Sequence, residues 1–265
     1  MHLRVKTASL LIALSIIITG AAHAGLLNTD GAEPVEAKHV EVELNGSYMA
    51  DNSKRGTVKV RSTDGDITIT AGVAREMDIA FTLPYTYGAR RTVNGDLISR
   101  AEGFNDMTVD LKFQFLDLDG LKLAIKPGII LPTGKSSEGL SDRKFGYAAF
   151  LLATKEFHEG KYALHANAGY GRHNFKDDAV RDANRPDIFS FSIACEAEIA
   201  ERLQLAAEMK IATNADKTSD TPHAFAIFGA KYELSKSLEG YAGVKAGLTT
   251  PEADVAALLG IVLKF

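Results

Sequence analysis

Several places in the chain combine residue types that could do chemistry. The run from Gly128 to Gly134, Lys135 and Ser136 has the composition of a phosphate-binding loop. Such a loop needs four residues between its glycines and a following helix whose N-terminus faces the phosphate. Here five residues separate the glycines, and Ser137-Glu138-Gly139-Leu140-Ser141 has no helical period. Nucleotide binding is not expected. His165 and Asn167 could supply a base and its orienting amide. They alternate with Leu164 and Ala166, however, so they share the polar face of a strand, where a hydrogen-bonding pair is the better reading than a hydrolase working on lipid. His158, His173 and His223 have no metal spacing. Asp177, Asp178, Asp182 and Asp187 lack the spacing of a calcium loop and read as a solvated acidic loop. Cys195, the one cysteine, can form neither an internal disulfide nor a paired-cysteine metal site, and it shares a face with Phe191 and Ile193. No catalytic residue, metal site or cofactor is expected, and the chain reads as a non-enzyme.

The elements that position these residues follow from composition and periodicity. In 265 residues, 30 basic side chains face 34 acidic ones, which leaves no positive field to hold nucleic acid. Residues 1–24 carry Arg4 and Lys6, an apolar run from Ala8 to Ile18 and the ending Ala22-His23-Ala24. That is the pattern of a cleaved secretory signal peptide, and its core is too short for a membrane helix. Residues 25–38 are expected to form a periplasmic N-terminal segment.

Beyond residue 38 the period is two. Leu203, Leu205, Ala207, Met209 and Ile211 alternate with polar residues, as do Met107, Val109, Leu111, Phe113 and Phe115. Extended along the chain, this predicts twelve strands near 39–49, 57–74, 77–88, 104–116, 121–131, 144–157, 161–173, 188–199, 202–212, 223–234, 238–248 and 255–265. Their length, about 11 residues, suits tilted membrane strands rather than soluble ones. Tight turns alternate with longer Gly-, Asp-, Asn- and Ser-rich loops, among them 89–103. Aromatic residues gather at both strand ends. The predicted fold is all-β: an antiparallel transmembrane outer-membrane β-barrel of about twelve strands over residues 39–265. Pro84 and Pro127 fall inside strands and require local irregularities. The stretch 57–74 changes phase and reads either as one bulged strand or as a hairpin. Parity aims Glu41, Glu43, Asp110, Lys112, Lys122, Lys126, His165, Asn167, Glu196, Glu208, Lys210, Lys231 and Lys245 into the lumen. Inward acids and bases nearly balance, which predicts a slim or partly obstructed pore with weak charge selectivity.

The segments KPGIILPTGK (126–135), FGYAAFLLATKEF (145–157), KYALHANAGYG (161–171) and the final GLTTPEADVAALLGIVLKF resemble the outer-membrane transporter family named for the meta-pathway of phenol degradation. The ending Leu259, Ile261, Leu263, Phe265 resembles the signal read by the barrel-assembly machinery of Gram-negative bacteria. The resemblance implies a channel or passive transporter for small solutes, hydrophobic or aromatic ones among them, set in outer-membrane lipid and assembled by that machinery. It carries over no binding residues. The alternatives are a structural or surface-interaction barrel and a secreted soluble ligand-binding β protein.

Overall fold

The computed structural model describes residues 26–52 and 57–265; the expected signal peptide lies outside the described residues. Among the described residues thirteen strands follow one another: β1 (Val40–Asn52), β2 (Val58–Ala74), β3 (Met77–Val93), β4 (Asp96–Phe104), β5 (Met107–Leu118), β6 (Leu121–Leu131), β7 (Gly146–Phe157), β8 (Tyr162–Arg172), β9 (Asp187–Ala200), β10 (Leu203–Ala212), β11 (His223–Ser235), β12 (Leu238–Gly247) and β13 (Val255–Lys264). The pairing is antiparallel throughout, and β13 returns to β1 while β2 joins β3, so the sheet closes. β4 and β5 lie end to end along β3, on residues 85–93 and 77–82 respectively. They fill one place in the wall, and the barrel has twelve staves. Closure leaves no edge, which is how a sheet satisfies its backbone in hydrocarbon.

The outer surface is apolar. Ile69, Phe81, Leu111, Ile125, Leu151, Ile193, Met209, Phe228 and Leu259 are all exposed, as lipid-facing alternation requires. Cys195 is outward too. Tyr48, Tyr87, Phe104, Tyr147 and Phe189 mark the rim of the long connections, and Phe113, Phe115, Tyr162, Tyr232 and Phe265 the rim of the short turns; all ten rings are exposed. Two such girdles fit the two water interfaces of a bilayer.

Three expectations are corrected or decided. Residues 89–103 are not a loop: β3 and β4 continue as a hairpin closed by Asn94 and Gly95, both at positive φ, a two-residue turn that matches strand twist. Residues 58–74 are one strand, paired along its length with β1 and with β3, and Tyr87 of β3 is the extra residue opposite Thr63 and Asp64. Val58 and Val60 keep the even, inward parity of Ser62 and Thr68; the hydrophobic side changes along the strand while the register with β1 does not. Finally, residues 26–37 of the segment expected at 25–38 in the periplasm bond to inward-facing wall residues and run inside the barrel.

The two prolines sit where the ladder is already open. At Pro84 the neighbour of β3 changes from β5, last paired at Thr82, to β4, first paired at Tyr85. Opposite Pro127 the β5–β6 ladder skips from Asp110↔Gly128 to Phe113↔Ile125. A missing N–H is tolerated in such gaps.

Candidate functional site in the barrel lumen

The chain enters the lumen at the short-turn rim. There Lys38 N–H donates to the carbonyl of Gly72 at 2.8 Å, beside a parallel bridge from Ala37 to Gly72. A Cβ on residue 72 would lie 1.9 Å from the Glu36 carbonyl oxygen, so only glycine lets the segment pass this close to the wall. Deeper in, Val35 N–H donates to Asp78 Oδ2 at 2.9 Å and Ala32 N–H to Thr154 Oγ1 at 2.9 Å. Thr154 is in turn 2.9 Å from His165 Nδ1. If the hydroxyl accepts from Ala32 it can donate to Nδ1, which puts the histidine proton on Nε2.

Asp30 is the centre of the arrangement. Its carboxylate accepts from Lys112 Nζ at 3.0 Å and from Lys126 Nζ at 2.6 Å. Lys112 also donates to the Glu33 carbonyl at 3.2 Å, and Lys122 bridges Glu33 at 2.8 Å and Glu156 at 3.0 Å. Asn167, with its amide oriented to satisfy both groups, donates to the Asp30 carbonyl at 3.0 Å and accepts its N–H at 2.7 Å. Burial pushes the Asp30 carboxyl up, but Lys112 and Lys126 outweigh it and hold the group well below the ordinary aspartate value. Further in, Glu208 Oε2 accepts the N–H groups of Asn28 at 2.5 Å and Thr29 at 3.2 Å. Leu26 and Leu27 end the described path against Phe225, Ile227, Tyr241 and Val262.

Of the thirteen residues assigned inward by parity, Lys112, Lys122, Lys126, Asn167 and Glu208 bond this segment, and His165 reaches it through Thr154. Glu196 pairs with Lys231, and Lys245 with Glu252 of the β12–β13 connection at 2.7 Å. Glu43, Asp110 and Lys210 are buried, and Glu41 is half-buried near the short-turn rim. The thirteen do not include Asp30, Glu33, Asp78 or Thr154. The first two lie in a segment with no strand pattern, while Asp78 and Thr154 share the inward face of strands already recognised.

Glu252, from the β12–β13 connection, is a further inserted acid. Burial raises its carboxyl, but the His223 imidazole at 3.4 Å and the Lys245 ammonium at 2.7 Å outweigh it and hold the group below the usual glutamate value. Other sequence features have ordinary roles. Asp177 caps the short helix α1 (Asp178–Ala183), Asp187 pairs with Arg172 at 2.7 Å, and Lys135 meets Glu138 at 3.5 Å on an exposed 3-10 turn.

A closed twelve-staved wall with an apolar outer belt, aromatic girdles and a charged interior defines an outer-membrane β-barrel. The chain belongs to the family described as "Putative MetA-pathway of phenol degradation", whose model matches residues 27–265. In fold it is similar to an outer membrane channel from Pseudomonas putida F1, with a TM-score of 0.74 at 12% identity over 88% of this chain and 98% of that one. The NanC porin gives 0.57 at 10% identity over 84% and 100%. The β domain of the Bordetella autotransporter BrkA gives 0.56 at 13% identity over 87% and 100%. No curated protein matches the chain.

Proposed function

We propose that this protein is a passive outer-membrane channel for small solutes whose lumen is closed at rest by its own residues 26–37. The observation that carries this reading is how the interior is filled. Eight-stranded barrels are filled by their wall side chains, and sixteen-stranded ones hold open water. This barrel lies between, and much of its interior polar bonding runs to a separate length of chain tethered at one rim. A permanently solid barrel needs no such insert, whereas a channel that opens needs one that can leave. The reading also includes a non-enzymatic role, supported by the use of His165 and Thr154 in holding the Ala32 N–H.

The test is conductance of the purified full-length protein in a planar bilayer. Small, flickering currents are expected from the wild type, and larger sustained ones after residues 26–36 are deleted. Silence from both would leave a structural barrel as the function.

The proposed route to the membrane is export on residues 1–24, cleavage after Ala24, and insertion by the barrel-assembly machinery reading the outward alternation Leu259, Ile261, Leu263, Phe265. Leu259 and Phe265 are among the most exposed apolar side chains of the barrel, 62% and 69%. Replacing Leu263 and Phe265 with serine is expected to leave export intact and lower the amount of heat-modifiable barrel in outer-membrane fractions. An undiminished amount would remove the C-terminal signal from this route.

A further inference from the structure

Alternation sends mostly polar side chains inward, yet the inner wall also carries apolar clusters, and the one with the most members among the described residues lies across β9 to β13. Phe225 and Ile227 of β11, Tyr241 of β12 and Val262 of β13 form a buried patch, joined by Ala194 and Ala206. Its floor is cut to a definite depth. Gly229 and Gly243 are directly paired across β11 and β12, and a Cβ on either would lie 2.7 Å or 2.5 Å from a Leu26 methyl group. At one end Lys245 Nζ stands 4.0 Å over the Phe225 ring. The Tyr241 hydroxyl donates to Asn45 Oδ1, so its polar end is already partnered. Among the described residues, Leu26 and Leu27 are the members of the inserted segment that pack in this cluster.

We infer that this patch is a binding site for a compact apolar solute, and that Leu26 and Leu27 occupy it as a built-in competitor. Two isobutyl groups pack against it, which sets the ligand at about eight carbons, in a pocket lined as small-molecule sites are. The exchange is local. The polar anchors of the segment begin at the Asn28 N–H on Glu208, so the two leucines can give way while Asp30 stays clamped. A tethered competitor acts at millimolar effective concentration and masks the affinity of the wall for a free ligand. The inference rests on the channel reading for the arrival of a solute in the lumen, and its test is separable from that reading.

The experiment is equilibrium dialysis of ethylbenzene against purified full-length protein in detergent. Wild type, Leu26→Ala/Leu27→Ala, and the same double variant with Ile227→Asn are compared at equal micelle concentration, with heat-modifiable mobility confirming the barrel in each. The double variant is expected to bind one equivalent about tenfold or more tightly than wild type, because the competent state is no longer fractionally populated. Ile227→Asn should abolish that increment. If it fails to fold, Gly243→Val fills the floor and should do the same. Absence of saturable binding by the double variant, affinity equal to that of wild type, or binding indifferent to the wall substitution overturns the inference. Ion currents from the same preparations decide the other question. Currents without binding defeat the inference alone; binding without currents in any variant defeats the channel reading and leaves the site standing.

Discussion

Replacing Asp30 with asparagine is expected to open the barrel. The carboxylate joins two lysines that are both buried, Lys126 at 2% and Lys112 at 8% exposure. Removing one partner of a buried ion pair costs about 3 to 5 kcal/mol, because the charge left behind has lost its water and its counter-ion. Here the cost falls on the seated segment. Once the segment withdraws, water enters and hydrates both ammonium groups, so opening relieves the loss of the shared carboxylate. The open fraction should rise by roughly two orders of magnitude or more, read as long-lived currents in a bilayer. Combining Asp30→Leu with Lys112→Met and Lys126→Met should return the segment to its seat, since apolar groups of similar volume replace a buried charge cluster at little net cost. Currents unchanged by Asp30→Asn would show that the clamp is not what holds the segment.

The same clamp fixes a pH dependence. A carboxyl whose folded value is depressed contributes its stability above the unfolded value, about 4 for aspartate, and loses it as pH falls through the folded value. Asp30 is depressed. Its contribution is therefore complete across the range from weakly acidic to neutral and fails only in strong acid, so the clamp by itself should give no change in open fraction between about pH 5 and pH 8.

What the sequence revealed follows from what selects each residue. Lipid acts on every outward side chain of a spanning strand, so Leu203 to Ile211 and Met107 to Phe115 announce strand, register and inward face together. Beyond the girdles that selection lapses. The alternation fades in 89–103, so periodicity predicts a loop where the backbone forms a hairpin, although Asn94-Gly95 is a strong turn signal. The same lapse made Val58 and Val60 look out of phase with Ile67 when the backbone had not shifted. The lumen segment was illegible for another reason. Residues 26–37 form no ladder over most of their length; their partners are single side chains 43 to 180 residues away, from Asp78 to Glu208. A periodic pattern records a repeated environment, and this segment meets a different wall residue at each step. The even count of inward acids and bases hid the same fact, because Lys112, Lys122 and Lys126 are neutralised in part by acids the insert brings with it.

An arginine on the outer face is expected to cost most in the middle of the wall and less toward either girdle. Ala207 lies near the centre of β10, opposite Phe228 on one side and the outward Cys195 on the other. Leu111 is central in β5, opposite Ile79. Leu205 is one outward position from Leu203, which pairs with the girdle residue Tyr232. Arginine near the bilayer midplane destabilises such a barrel by about 2 to 4 kcal/mol, falling to about 0 to 1 near an interface. Ala207→Arg and Leu111→Arg should fall in the upper range and Leu205→Arg below both, because its guanidinium can reach the headgroups along the short path past Tyr232. Gln204→Arg and Thr108→Arg, on the inner face, should cost little in lipid. The measurement is urea-dependent folding into liposomes. If the inward substitutions proved the costly ones, the apolar face would be packing against protein instead of lipid, and the barrel would have to be read as a soluble one.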